Sequence, residues 1–166
     1  MECAMEFPEL VAFLRAELDR RADGFLFADF PPGLPPQQIP ADLPAGLRAA
    51  FEVTNGATAG VLTMIKVSGL EKAQSVYRDV AEFVDEPSRW LTVGAQLRTR
   101  GAEPRHRRAV VVPDTGVAWY ESDRFEELAP DVATLFTDIV FTERYLELAP
   151  EPGEWYDLLG DLGLRT

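Results

Sequence analysis

The sequence predicts an α+β fold, one mainly antiparallel sheet flanked by helices, and three observations carry that expectation. Apolar residues recur at helical spacing in four segments, 7–18, 43–51, 70–84 and 132–140, while Val- and Thr-rich stretches between residues 60 and 120 suit strands. Pro113-Asp114-Thr115-Gly116 lies between two such stretches, 109–112 and 117–120, and has the residue types of a tight hairpin turn, so these strands run antiparallel. No internal repeat and no linker between two cores interrupts the 166 residues, a length at which roughly 70% of the extended surface is buried on folding.

Taken in order, Phe7, Leu10, Val11, Leu14 and Leu18 form the apolar stripe of a first helix that should end near Gly24. Phe25-Leu26-Phe27 reads as a short strand. Residues 30–40 hold five of the 13 prolines and form a connecting loop, since proline removes the donors that a helix or central strand needs. A second helix starts near Asp42 or the Ile39-Pro40 turn, carries Leu43, Leu47, Ala50 and Phe51 on one face, and closes on Asn55-Gly56 as a left-handed cap. Residues 60–67 follow as a strand. Ser68 and Glu71 have the spacing of a capping box, and Leu70, Ala73, Tyr77, Val80, Ala81 and Val84 give a helix over about 69–85 that stops at Glu86-Pro87.

Strands are expected near 89–97, 107–113 and 116–121. Pro130 suits a first helical position, and Val132, Leu135, Phe136, Ile139 and Val140 supply the apolar face of a helix running to Glu147. A last short helix after Gly153 presents Trp155, Leu158, Leu159 and Leu162 to the core. The whole chain, 1–166, is read as one domain: an N-terminal helix and Pro-rich loop over 1–38, a core over 39–148 and a closing helix over 149–166.

Composition restricts the partners. The net charge of −12 argues against nucleic acid or an anionic membrane, which need clustered base, and no apolar run reaches the ~20 residues of a membrane span. The acidic start Met1-Glu2-Cys3 is unlike a secretory signal, and a single cysteine suits a reducing, cytoplasmic setting. The charge is uneven. Arg98, Arg100, Arg105, Arg107 and Arg108 against Glu103 make residues 98–108 locally +4, leaving −16 for the rest; residues 121–166 hold twelve acids against three arginines, a local −9.

The order of small signals is the most specific feature: Leu43-Pro44 opening a helix, Asn55-Gly56 closing it, Trp90-Leu91-Thr92-Val93-Gly94, Asp114-Thr115-Gly116-Val117, and a closing helix near Phe136 and Ile139. This order over about 39–148 resembles the SUKH superfamily, which includes bacterial immunity proteins and yeast cell-wall regulators of the Smi/Knr type. The resemblance implies a SUKH-like fold in which Gly56, Trp90, Gly94, Asp114 and Gly116 make structure, and a role in protein binding, above all neutralising a cognate toxin. In place of the acidic or glycine-rich turn of many members, this chain carries the arginine-rich segment.

No catalytic motif stands out. His106 is the lone histidine and has no carboxylate at a recognisable spacing, Cys3 stands near the terminus, and no P-loop, nucleophile elbow, dinucleotide fingerprint or zinc spacing occurs. The chain therefore reads as a non-enzyme without cofactor or metal. The partner-binding candidates are Glu143, Glu147, Glu151 and Glu154, facing a basic, nuclease-like toxin domain; the competing readings are a regulatory or scaffold protein without a toxin, and a small-anion binder using Arg98, Arg100, Arg105, Arg107 and Arg108.

Overall fold

The computed structural model describes residues 5–21, 28–73, 90–96, 109–113, 118–121, 125–149 and 153–165, the strands at 90–96, 109–113 and 118–121 and residues 125–126 by their backbone. These residues build a mixed fold, helices packed on one antiparallel sheet. The first helix, α1 (Phe7–Asp19), opens with Pro8 in its first turn and with the Glu6 N–H donating to the Glu9 carboxylate at 3.2 Å, which satisfies a donor left orphaned at a helix start. Phe7, Leu10, Val11 and Leu14 are buried along it, as their spacing predicts. Arg20 caps it, several residues short of the expected end near Gly24.

Seven strands pair in sequence order, each antiparallel to the next: β1 (Ala28–Asp29), β2 (Ala57–Ala59), β3 (Leu62–Met64), β4 (Trp90–Gln96), β5 (Ala109–Pro113), β6 (Ala118–Glu121) and β7 (Phe125–Ala129). The expected hairpin is present, with Ala109 opposite Glu121 and Val111 opposite Trp119. The register of β4 against β5 shifts between Thr92 and Gly94, where a residue without Cβ tolerates the irregularity. Trp90 opens β4. Asp114, Gly116, the Phe25–Phe27 segment and most of the expected 69–85 helix lie outside the described residues.

Several expectations are corrected. Residues 60–67 are not one strand: Gly60 and Val61 turn the chain between β2 and β3, with Ala57 opposite Met64 and Ala59 opposite Leu62 on the buried face. Gly60 has φ +61°, and a Cβ there would overlap the Tyr145 hydroxyl, so both backbone and space demand glycine. The second helix, α2 (Ala45–Val53), begins after Pro44 and ends on extended Thr54; Gly56, at φ +85°, turns the chain into β2 and is not the helix cap. Asn55 spans the hairpin, its side-chain oxygen accepting from the Val67 N–H at 3.0 Å. Ser68 lies in a single 3-10 turn, Val67–Gly69, that leads into α3, described over residues 70–73.

The helix expected over 130–147 breaks in two. Pro130 stays outside it, and Asp131 is the cap, accepting from the Thr134 N–H at 2.7 Å before α4 (Val132–Leu135). A π turn, Phe136–Val140, continues α4, with the Phe141 N–H donating to the Phe136 carbonyl at 2.9 Å. After Thr142 a 3-10 segment, Glu143–Glu147, takes over, and α5 (Glu154–Asp161) closes the chain. Three carbonyls at the break have donors from outside the helical ladder: Asp138 takes the Thr142 hydroxyl (2.7 Å), Ile139 the Thr142 N–H (3.3 Å) and Val140 the indole N–H of Trp155 (2.9 Å).

That break aims Phe141 into the core. Its ring centroid lies 5.5 Å from Phe136, 5.8 Å from Phe30, 6.0 Å from Trp155 and 6.5 Å from Phe7, joining α1, the proline loop, the π turn and α5 in one aromatic cluster. Removing a buried ring leaves a cavity that neighbours fill only in part, so Phe141→Ala should cost about 3–5 kcal/mol, against a total of roughly 5–15 for a domain. Urea unfolding of the two proteins measures this; a variant within about 1 kcal/mol of the parent would show that Phe141 is not the centre of the core.

Candidate functional site

Part of the acidic charge of residues 121–166 lies on two short helical segments, −1 over 143–147 and −3 over 154–161, and each segment is fixed from behind by one aromatic side chain. In the 3-10 segment the anchor is Tyr145, 2% exposed, whose hydroxyl oxygen accepts the Val61 N–H at 2.9 Å and lies against Gly60. In α5 it is Trp155, 1% exposed, bonded to the Val140 carbonyl. Leu158 and Leu159 share its buried face. With those positions turned inward, Glu143, Glu147, Glu154, Asp157 and Asp161 are exposed, joined by Asp138 from the π turn.

Three of the four expected partner-binding carboxylates, Glu143, Glu147 and Glu154, are thus at the surface, and Glu151 lies outside the described residues. Glu143 and Glu147 are not neighbours on an α-helical face. At three residues per turn, positions four apart are about 120° apart around the axis, whereas positions three apart eclipse. Glu147 accordingly meets Arg144, with Nε to Oε1 at 2.9 Å and Nη2 to Oε2 at 3.2 Å. The hydrogen bond to Glu147 raises the Arg144 pKa, with desolvation opposing and the charges of Glu147 and Asp138 assisting. Both partners are about half exposed, 52% and 56%, so the pair contributes no more than about 1 kcal/mol. Its effect is to neutralise one of the expected binding charges.

Asp138, Asp157 and Asp161 were not among the candidates. Their signal was in the sequence, since each falls on the polar side of an apolar helical pattern, but an acidic residue on a solvated helix carries no mark of function by itself. Water-exposed carboxylates offer charge and hydrogen-bond acceptance to a partner. Among the described residues no three His, Cys, Asp or Glu side chains are grouped to hold a metal ion, and no helix is long and apolar enough to cross a membrane. Arg98, Arg100, Arg105, Arg107, Arg108, His106 and Cys3 lie outside the described residues.

Burial pushes the Tyr145 pKa up, and the Val61 hydrogen bond pulls it back only in part. A phenol whose folded value is raised adds stability that is fully present below its unfolded value, near 10, and is lost as the pH rises through the folded one. Tyr145→Phe should therefore lose about 1 kcal/mol at pH 8, by orphaning the Val61 N–H, yet fall less steeply than the parent above about pH 10. Urea unfolding at stepped pH reads the two slopes, and equal slopes would remove Tyr145 as the titrating anchor.

Comparison of the chain with protein-family models, with curated proteins and with solved structures finds no match in any of the three.

Proposed function

We propose that this protein is a non-catalytic binding domain whose acidic C-terminal surface captures a basic protein, in the manner of a SUKH-type immunity protein covering a nuclease-like toxin. The observation that carries the reading is the division of labour within residues 138–161: aromatic and leucine side chains lock the segments to the core while Asp138, Glu143, Glu154, Asp157 and Asp161 stand in solvent. A charge array held on fixed backbone suits electrostatic recognition, because complementary potential accelerates encounter and rejects wrong partners without reordering the site. The −16 outside residues 98–108 extends the same field over the rest of the sequence. The ordered sequence signals that resemble the SUKH superfamily supply the class of partner, by analogy of fold-making residues.

Proteins encoded beside this gene are the first partners to test. One of them should be basic and arrest growth when expressed alone, with co-expression of this chain restoring growth. Association of the purified pair should slow by about tenfold or more between 0.1 M and 1 M salt, where the screening length falls from ~10 Å to ~3 Å. A Glu143→Lys, Glu154→Lys, Asp157→Lys triple variant should lose a similar factor in on-rate and remain folded by circular dichroism. Glutamine replacements of the five arginines in 98–108 should matter less; if they abolish binding while the acidic reversals do not, the acidic surface is not the site.

A further inference from the structure

We infer that β7 is a docking edge that accepts an extended, basic segment of a protein partner as an added antiparallel strand, an inference that rests on the acidic-surface reading and gives it a backbone mechanism. In the sheet order β7 comes last: one side pairs with β6, Glu127 opposite Trp119 and Glu126 opposite Tyr120, and no other described strand pairs with its far side. A sheet edge of five residues carries alternate N–H and C=O groups that point away from the sheet, and an incoming strand satisfies them without any change of fold. Affinity then comes from main-chain hydrogen bonds and selectivity from the side chains beside them.

The sequence of the edge chooses the occupant. β7 reads Phe125-Glu126-Glu127-Leu128-Ala129, with Glu127 exposed, and Pro130-Asp131 follow directly. A second copy of this chain paired there antiparallel about Glu127 would set that carboxylate against its own copy, and like charges across a strand pair are destabilising. Two chains of net charge −12 also repel before contact. A strand with lysine or arginine opposite Glu127 reverses both terms. The same glutamate thus discourages self-pairing and selects a basic strand, and β7 leads through Asp131 into α4, the π turn and the carboxylates beyond it.

The probe is a blocked peptide of sequence Lys-Val-Lys-Val-Lys-Val-Lys, together with a version N-methylated at every residue, which keeps the charge but has no backbone donor on either edge. With the whole protein at 0.1 M salt, the first peptide should slow amide exchange within residues 125–129 by about tenfold at saturation, and the methylated one should not. Glu127→Lys should weaken the first peptide by about tenfold. Equal binding of both peptides, without protection of 125–129 but with shifts at Glu143–Glu147 and Glu154–Asp161, would overturn the strand-addition mechanism and leave the acidic-surface reading standing. Absence of binding by either peptide would overturn it too, while rescue by an adjacent-gene product scores the proposed function separately. Protection that grows with protein concentration and needs no peptide would make the occupant a second copy.

Discussion

The position of Phe141 is the constraint on which the rest of the described structure depends. An α-helix continued through 136–147 would carry residue 141 on round the cylinder; the π turn inserts an extra residue per hydrogen-bonded ring and stops the helix with that ring pointing inward. Four aromatic rings, Phe136 of the π turn itself and one each from α1, the proline loop and α5, meet it at 5.5–6.5 Å, within the range where offset and edge-on pairs attract beyond their buried area. The break leaves carbonyls without helical partners, and those of Asp138, Ile139 and Val140 find donors in Thr142 and Trp155. Local hydrogen-bond satisfaction and core packing are therefore one device, and loss of the Trp155 indole would strain both.

A second joint is polar. Arg15 of α1 donates to the carbonyls of Phe30 (2.7 Å) and Pro31 (2.9 Å) in the proline loop and of Val53 (3.2 Å) at the end of α2. Phe30 and Pro31 precede the 3-10 turn Pro36–Gln38 and lie in no strand, so their carbonyls take an outside donor, and one planar guanidinium serves two chain segments. Thr54, wholly buried, places its hydroxyl between the carbonyls of Pro31 (2.9 Å) and Gly56 (2.6 Å). The loop is thereby fixed against α2 on one side while Phe30 enters the aromatic cluster on the other, which ties the first forty residues to the last twenty.

Period and punctuation made the simpler elements legible. The stripes of α1, α2 and α5 follow from their apolar spacing, and the β5–β6 hairpin from two Val-rich runs about a turn sequence. Three features were not legible, each for a physical reason. Residues 57–64 hold two three-residue strands, too short for alternation to register, and only the positive φ of Gly60 separates them. The apolar pattern Val132, Leu135, Phe136, Ile139, Val140 is equally compatible with α and π turns, so the break was invisible until Phe141 was seen to be buried with them. β7 has two consecutive glutamates where an alternating strand would have one, and it reads as solvated charge. For the candidate surface, sequence supplied the sign and location of the charge. It did not show that Arg144 rather than a solvent-facing neighbour takes up Glu147, because an i,i+3 and an i,i+4 partner are both in reach on an α-helix and the 3-10 winding here favours the i,i+3 one.

The acidic surface and the core place opposing demands on the same protein. Like charges exposed along residues 138–161 add to the self-repulsion of a chain of net charge −12, which disfavours the compact state, and the aromatic and leucine packing behind them offsets it. Salt acts on the two demands with opposite sign. Screening relieves repulsion within the folded chain and so strengthens it, while it weakens attraction to a basic partner. A bound partner would do locally what salt does globally, adding cations beside the carboxylates, so complex formation and fold stability are thermodynamically coupled through those carboxylates. Binding a basic partner on this surface should therefore raise the stability of the domain most at low ionic strength, where the unrelieved repulsion is largest, and the coupling should shrink as salt takes over the partner's electrostatic role.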